Sequence, residues 1–324
     1  MISDGSTKNF QQFEDLPLPN EALSSLILHK NKILFFDNCS KVCYEMVDGS
    51  WKIHSTLVEF RGSFRISAVT TNYGTFIFGG EYSKYTYEYL LHGSSEWQIG
   101  KTKIPDGFSD GCAIALKSRP EIWLIGGYET RKRILSFNLE THRFATLPTQ
   151  LLVGRTRFQC SFLPNTNKII VTGGTAGYDL RSTEIVDTVD ESVTSPLDQE
   201  GHIQNNWSNL TSFVKFFSEM STSLSFFGNS SSASAPSVTM GSPMRARRSD
   251  HGIGIVTVNG VDKVSVFGGY GGIAGSRRSR EGYLKTVEIY NPESEEWEDS
   301  KFELKEGKAK FGFVSVNNKL IMPN

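Results

Sequence analysis

The sequence predicts an all-β domain built from six copies of one short motif, and three observations support this. An apolar run that ends in a doublet of small residues recurs along the 324-residue chain, most clearly at residues 122–127. The doublets begin at residues 37, 79, 126, 173, 268 and 323, so the steps are 42, 47, 47, 95 and 55, and such a period marks a repeat array. Helix-period patterns are almost absent, whereas β-branched and aromatic residues crowd short segments.

The doublets themselves indicate where strands end. Four are intact and two are degenerate: Gly79-Gly80, Gly126-Gly127, Gly173-Gly174 and Gly268-Gly269, with Asp37-Asn38 before them and Pro323-Asn324 after them. Glycine pairs suit a strand end at which the chain turns with positive φ or packs backbone against backbone. Each doublet therefore predicts a turn at the end of a buried strand.

A second pattern lies after each doublet, where two apolar residues stand seven positions apart. The pairs are Tyr44/Trp51, Leu90/Trp97, Phe137/Phe144, Val186/Val193 and Tyr290/Trp297. Turn-forming residues separate the members, as in the segment 291–294 (Asn-Pro-Glu-Ser). A strand, a polar turn and a strand with an aromatic residue predict a β-hairpin.

A Gly-Gly doublet, a Tyr and then a Trp at this period resemble the kelch repeat, and the resemblance covers nearly the whole chain. It implies a six-bladed kelch-type β-propeller with four antiparallel strands per blade around a central channel. The predicted blades are 20–58, 59–104, 105–152, 153–194, 240–304, and 305–324 together with 1–19. Pairing the N- and C-terminal strands in the last blade would remove two exposed sheet edges. The alternative is a fragment with more blade sequence upstream and downstream.

The double step of 95 residues predicts an insertion. The tripeptide Ser-Val-Thr at 192–194 recurs at 237–239, and removing one copy with the intervening residues leaves 95 − 45 = 50, the ordinary step. We therefore interpret the Ser-rich segment 195–238 as an insertion into the last strand of blade four. Its apolar residues step by three or four from Trp207 to Phe227, which predicts a loop or a single amphipathic helix. A partner-binding or membrane-surface helix is the alternative.

Composition and cysteine usage exclude several classes of protein. The net charge of −1 argues against a general nucleic-acid binder, and no apolar run approaches the roughly 18 residues of a membrane span. No signal peptide is visible, which favours the cytoplasm unless an upstream leader is missing. Cys112 and Cys160 are expected to be small core residues. A Cys39–Cys43 disulfide is an open alternative, and no ligand spacing for zinc is present.

No catalytic motif emerges from the sequence. The six histidines show no metal-ligand pair, and neither a nucleophile elbow nor a phosphate loop is present. We therefore expect no cofactor and no enzymatic activity. Some kelch-like propellers are copper oxidases whose copper ligands lie at the channel. A copper radical oxidase-like or sugar-processing enzyme is therefore the alternative hypothesis.

Binding of a protein partner is the preferred hypothesis, since rigidly held loops on one face of a propeller can carry recognition residues. Tyrosine and arginine recur around the doublets, and both are common in binding hot spots. The candidate residues are Arg61, Arg65, Tyr82, Tyr128, Arg157, Tyr178, Arg247, Arg248, Tyr270, Arg277, Arg278 and Arg280. The basic residues suggest an acidic or phosphorylated peptide as the partner of a monomeric propeller. Packing between blades is the structural alternative for each of these side chains.

Overall fold

The computed structural model describes residues 10–13, 24–37, 40–62, 66–188, 236–273, 282–311, 314–316 and 319–323. The chain divides into one compact unit of Met1–Thr188 with Pro236–Asn324 and a second of Val189–Ala235. The second unit lies outside the described residues, and with it most of the predicted insertion 195–238, its helical pattern and Val193. Over the described ranges the chain is all β, and no helix there is long and apolar enough to cross a membrane.

The regular secondary structure of the described residues consists of short β-strands, as the repeats predict. The first is β1 (Phe10–Phe13). Blade one contains β2 (Ser24–His29), β3 (Lys32–Asp37), β4 (Val42–Val47) and β5 (Ser50–Thr56), and blade two contains β6 (Ser67–Thr70), β7 (Gly74–Phe78), β8 (Tyr87–Leu91) and β9 (Gln98–Ile99). Blade three contains β10 (Cys112–Ala115), β11 (Glu121–Ile125), β12 (Arg133–Asn138) and β13 (Phe144–Gln150). Each of these blades is a four-stranded antiparallel sheet in chain order.

The remaining blades include strands that are distant in sequence. Blade four contains β14 (Gln159–Phe162), β15 (Lys168–Thr172), β16 (Thr183–Asp187) and β17 (Val238–Gly241). Blade five contains β19 (Gly252–Val258), β20 (Val261–Phe267), β23 (Thr286–Asn291) and β24 (Glu296–Glu303), and a separate small sheet contains β18 (Ala246–Ser249), β21 (Tyr270–Ile273) and β22 (Gly282–Tyr283). Blade six contains β25 (Val314–Val316), β26 (Lys319–Pro323) and β1.

The sheets form a closed ring, because the first strand of each blade packs against the first strand of the next. The contacts run from β2 to β6, β10, β14, β19 and β25, and β25 contacts β2 again. Since β7, β11, β15 and β20 each follow a first strand by an antiparallel turn, these second strands all end on the same side of the ring. The doublets and the segments that follow them therefore share one face, which we call the loop face.

Two details of the predicted blades are corrected. Strand β17 pairs with β16, so blade four extends to residue 241 and the predicted start of blade five at residue 240 is wrong. In blade six, β1 pairs with β26 in parallel, whereas four antiparallel strands were expected and three strands are described. No hairpin joins β1 to β26, so the connection does not impose an antiparallel direction, and a parallel partner also satisfies the backbone groups of β26.

The core consists of apolar layers between neighbouring blades. Trp123 of blade three packs with Phe158 and Val171 of blade four, and Phe76 of blade two packs with Phe137 of blade three. All five side chains are at least 99% buried. Because each strand faces a neighbouring sheet on both sides, the second strands are continuous apolar runs rather than alternating ones. This explains why the apolar run before each doublet is the strongest signal in the sequence.

The intact doublets join each blade to the next. All eight doublet glycines have positive φ, and Gly79 has φ +64° with a hypothetical Cβ only 1.8 Å from the carbonyl oxygen of Phe108. The amide of the second glycine donates to the next blade: Gly80 to Phe108, Gly127 to Arg155, Gly174 to Arg248 and Gly269 to Lys308, at 2.7–3.1 Å. Both reasons that predict glycine here, the turn and the close backbone approach, are therefore confirmed.

One expectation about the cysteines is wrong. Cys112 of β10 and Cys160 of β14 form a disulfide between blades three and four. They occupy similar places in the first strands of adjacent blades, and these strands pack against each other. Cys43 is a free, buried thiol, and burial raises its pKa to about 12. Cys39 lies outside the described residues.

Candidate interaction face

Three buried arginines hold the segments that frame the loop face. Arg61, Arg155 and Arg248 each donate one N–H to the carbonyl oxygen of the first doublet glycine at 2.7–2.8 Å. Each also pairs with a buried glutamate of the third strand: Glu88, Glu184 and Glu288, respectively. Burial lowers the pKa of all three arginine side chains, and the paired carboxylates oppose that shift.

The glutamates also accept from backbone amides that precede the arginines. Glu88 accepts from the amides of Val58 and Glu59, and Glu184 accepts from those of Leu152 and Val153. Glu288 binds the equivalent two amides, those of Arg245 and Ala246. Each carboxylate thus holds both the guanidinium and the chain leading to it, which gives a buried ion pair the additional hydrogen bonds that it requires.

This arrangement corrects the predicted roles of Arg61 and Arg248. Arg61 is 2% exposed and Arg248 is 0% exposed, so neither side chain is available on the surface. Both side chains lie inside the protein, where each connects the first doublet glycine to the third strand of the same blade. The sequence did not distinguish these two from exposed arginines, because Arg247 and Arg248 are adjacent and only the pleat of β18 separates them into two faces.

The predicted tyrosines, in contrast, are all exposed. The exposed fractions are 68% for Tyr82, 58% for Tyr128, 66% for Tyr178 and 40% for Tyr270. Each follows its doublet by one to four residues, so all four stand on the loop face. A tyrosine ring offers a large apolar surface with a polar end, which is why such residues are frequent in binding sites.

Several of these rings are supported from the side. The ring of Tyr82 stacks on Phe60 with centroids 5.5 Å apart, and the guanidinium of Arg131 lies 5.1 Å from the ring centroid of Tyr128. Tyr270 makes an edge contact with Tyr283 at 6.0 Å. Backbone bonds from Tyr82 to Arg61 and from Tyr128 to Ser109 anchor two of the loops to the chain before a first strand. The loops are therefore positioned by the sheets.

The predicted arginines outside the core differ in accessibility. Arg157 is 39% exposed in its side chain, and its Nε lies 3.7 Å from a carboxylate oxygen of Asp110. Arg247 is exposed on β18. The other four predicted arginines lie outside the described residues: Arg65, Arg277, Arg278 and Arg280. Tyr283, which is 68% exposed, was missed by sequence reasoning, although Gly268 stands 29 residues before Trp297, against 18 between Gly79 and Trp97, and this longer spacing was a usable signal.

Metal binding finds no support in the described side chains. Among them, no group of three or more histidine, cysteine, aspartate or glutamate residues is arranged to hold a metal ion. Buried histidines instead pair with hydroxyl groups. Nε2 of His251 lies 2.9 Å from the Thr172 hydroxyl, and Nδ1 of His29 lies 2.8 Å from the Thr75 hydroxyl.

Comparison with known proteins agrees with the repeat pattern and the fold. The kelch motif model matches residues 262–300, which include the fourth intact doublet and the Tyr290/Trp297 pair. Among curated proteins, no sequence gave a significant match. A solved structure described as "Structure of YjhT" is 13% identical, has a TM-score of 0.68, and covers 96% of this chain and 91% of its own. At that identity the similarity concerns the fold alone. The chain therefore has the fold of a kelch-type β-propeller and carries a kelch motif at residues 262–300.

Proposed function

We propose that the protein is a non-enzymatic interaction module that binds a peptide segment of another protein on its loop face. The observation that carries this proposal is the repetition of an exposed tyrosine after each intact doublet, at Tyr82, Tyr128, Tyr178 and Tyr270. Exposed aromatic side chains are costly to leave in water and are enriched at binding sites. Four of them around one face form a recurring surface for recognition.

The packing around the loops supports this role. The doublet hydrogen bonds and the buried Arg–Glu pairs hold the segments before and after each second strand. A site held by the scaffold loses little conformational entropy when it binds, so more of the contact energy contributes to affinity. The exposed tyrosines therefore stand on loops that need little reorganisation.

Binding can be measured without knowing the partner. A library of random 12-residue peptides is selected on the purified protein, and enriched peptides are titrated calorimetrically against wild type and the Tyr82→Ser/Tyr128→Ser and Tyr178→Ser/Tyr270→Ser variants. At least one double variant should bind ten-fold more weakly or worse. Ile53→Ser is the matched control, because Ile53 is 70% exposed on β5, the outer strand of blade one. Failure to enrich any peptide, or equal binding by every variant, would contradict the proposal.

The absence of catalysis is part of the proposal and has its own test. Elemental analysis of the purified protein should find no metal at one equivalent per chain. Stoichiometric copper, together with oxidation of an alcohol or sugar substrate, would favour the channel-centred enzyme instead.

A further inference from the structure

Blade five carries an additional small sheet on the loop face. Strands β18, β21 and β22 pair in the order β18-β21-β22, all antiparallel. In the described parts of the other blades no such sheet follows the doublet, and blade four has only isolated antiparallel bridges there, from Thr175 to Thr156 and to Asp179. We call this three-stranded sheet the hairpin platform.

The platform has one buried and one exposed face. Ala246 and Arg248 of β18 are 3% and 0% exposed, and Arg248 reaches Glu288 in the blade below. Arg247 lies between them and is exposed, as the alternation of side chains along a strand requires. Tyr270 pairs directly with Tyr283 across the strands, so both rings stand on the same face.

That exposed face combines a free cation with aromatic surface. Within the described residues Arg247 has no ion pair, and it lies opposite Gly272, which has no side chain to cover the guanidinium. Ser249, two residues further along β18, pairs with Tyr270, so Arg247 stands on the same face as the two tyrosines. The surface therefore offers a charged fork beside two exposed rings.

A neighbouring segment of the same chain adds positive charge beside the platform. Gly307 lies against Tyr283, since a Cβ at Gly307 would come within 2.3 Å of the Tyr283 carbonyl oxygen. The segment 305–310 around it contains Lys305, Lys308 and Lys310 with one acidic residue, Glu306, which pairs with Lys308.

We propose that the hairpin platform binds an anionic peptide segment whose carboxylate or phosphate group pairs with Arg247 while an adjacent apolar side chain packs on Tyr270 and Tyr283. Guanidinium groups bind both anions through two parallel hydrogen bonds. This inference rests on the proposed function and names the class of ligand and the part of the loop face that receives it. It distinguishes the platform from the tyrosines of blades two and three.

The test uses three labelled dodecapeptides with alternating leucine and a second residue, which is glutamate, phosphoserine or glutamine. The full-length protein should bind the glutamate or phosphoserine peptide at least ten-fold more tightly than the glutamine peptide, as measured by fluorescence anisotropy. Affinity should fall as salt rises from about 50 to 300 mM because screening weakens charge pairing. The glutamate and phosphoserine arms show which anion the site prefers.

Variants locate the site. Arg247→Gln and Tyr270→Ser/Tyr283→Ser should each weaken binding of the anionic peptide at least ten-fold, whereas Arg143→Gln, which removes an exposed arginine of blade three, should not. Thermal unfolding confirms that each variant is folded. If only Tyr82→Ser/Tyr128→Ser weakens binding, the platform inference is wrong and the proposed function survives. If the glutamine peptide binds as tightly as the anionic peptides, the platform inference is likewise wrong, and if the random-peptide selection also fails, both are wrong.

Discussion

The buried arginine–glutamate pairs show how one side chain can determine the environment of several others. In blade four, Glu184 forms an ion pair with Arg155 and accepts hydrogen bonds from two backbone amides. Blade three lacks the pair: Phe108 stands where the arginine would be, since its carbonyl accepts from Gly80 as that of Arg155 accepts from Gly127. Leu135 takes the glutamate position, because it pairs with Leu124 as Glu184 pairs with Val171.

Blade three also removes the amide that such a glutamate would bind. Three residues before Phe108 stands Pro105, which has no N–H, whereas Leu152 stands three residues before Arg155 and donates to Glu184. The three differences belong together: without the carboxylate there is neither a cation nor this donor to satisfy. The same position is therefore filled by a buried ion pair in some blades and by apolar side chains in blade three.

Removing only one member of such a pair should be severely destabilising. Glu184→Leu leaves the Arg155 charge and two amides buried without their acceptor, so we expect the free energy of unfolding to fall by about 3–5 kcal/mol. Arg155→Phe/Glu184→Leu should lose less than Glu184→Leu alone, although the amides of Leu152 and Val153 still lack their acceptor. Denaturant unfolding measures both, with Glu140→Leu on the exposed surface as the control. A loss below about 1 kcal/mol for Glu184→Leu would refute this account.

His29 should make stability depend on pH. Desolvation by burial, followed by the charge of His92, lowers the pKa of His29 from 6.5 to about 4. The side chain is 4% exposed, and its ring centroid lies 4.8 Å from that of His92. The other groups that act on it are His54, Lys30 and Lys32. All of them disfavour its protonated form.

The sign follows from the lowered pKa in the folded state. Above pH 6.5 the contribution of neutral His29 is fully present, and it is lost as pH falls from 6.5 towards 4, because the unfolded chain then binds the proton more readily. The loss approaches about 3 kcal/mol at the lower end. His29→Gln cannot be protonated, so its unfolding free energy should decline less over this interval. If the unfolding free energies of the wild type and His29→Gln declined equally over this interval, protonation of His29 would not contribute to the pH dependence of stability.

At the scale of the element, the glycine doublet ends one strand and joins two blades. The carbonyl of Phe108 approaches Gly79 so closely that no Cβ fits, and the same residue has positive φ. The two constraints can be separated experimentally because Gly93, in a hairpin turn, has φ +94° with nothing within 4 Å of a Cβ. At Gly93 only the positive φ favours glycine, because a Cβ there would meet no neighbouring atom.

Gly93→Ala should therefore cost about 1–2 kcal/mol, the penalty for an L-residue in the left-handed region. Gly79→Ala should cost distinctly more, since the added methyl group also displaces the Phe108 backbone and the blade-to-blade hydrogen bond. Chemical denaturation of both variants gives the comparison. Equal losses would mean that the close approach relaxes without cost and that only φ selects glycine here.

In the hairpin platform, the two faces of one strand have different surroundings. Arg248 faces the interior and completes an ion pair, while Arg247, the preceding residue, faces solvent. One strand therefore contributes to stability through one face and to the proposed recognition through the other. The alternation of the strand, rather than the residue type, decides which arginine does which.

At the scale of the whole molecule, contacts between blades and a disulfide hold the ring together. The Cys112–Cys160 disulfide joins blades three and four across a separation of 48 residues. Closing a loop of that length restricts the unfolded chain and contributes about 4 kcal/mol in the chain-entropy treatment. Disulfides persist mainly in oxidising compartments.

Reduction should accordingly lower the unfolding free energy of the wild type by about 4 kcal/mol. The Cys112→Ser/Cys160→Ser variant should resemble the reduced wild type and should not respond further to reductant. Non-reducing peptide mapping should recover the two cysteine-containing fragments as one linked species. Separate fragments from protein that was never exposed to reductant would contradict the bond.

Much of this architecture is determined by local sequence. The apolar runs, the doublets and the seven-residue pairs predict strands and hairpins because burial on both faces, positive φ and turn formation are requirements of short segments. Phe137 pairs with Phe144 and Tyr290 with Trp297, as the hairpin pattern indicates. The exposed tyrosines could also be predicted, since each follows a recognisable doublet.

Other features depend on residues that are far apart in sequence, and only the tertiary structure decided them. The burial of Arg61 depends on Glu88, the disulfide depends on two strands becoming neighbours in the ring, and the parallel pairing of β1 with β26 joins opposite ends of the chain. Likewise, Tyr283 comes beside Tyr270 only when the hairpin forms. Sequence determined the strands because their causes are local, whereas the packing of one blade against the next determined which charges are buried and which remain available to a partner.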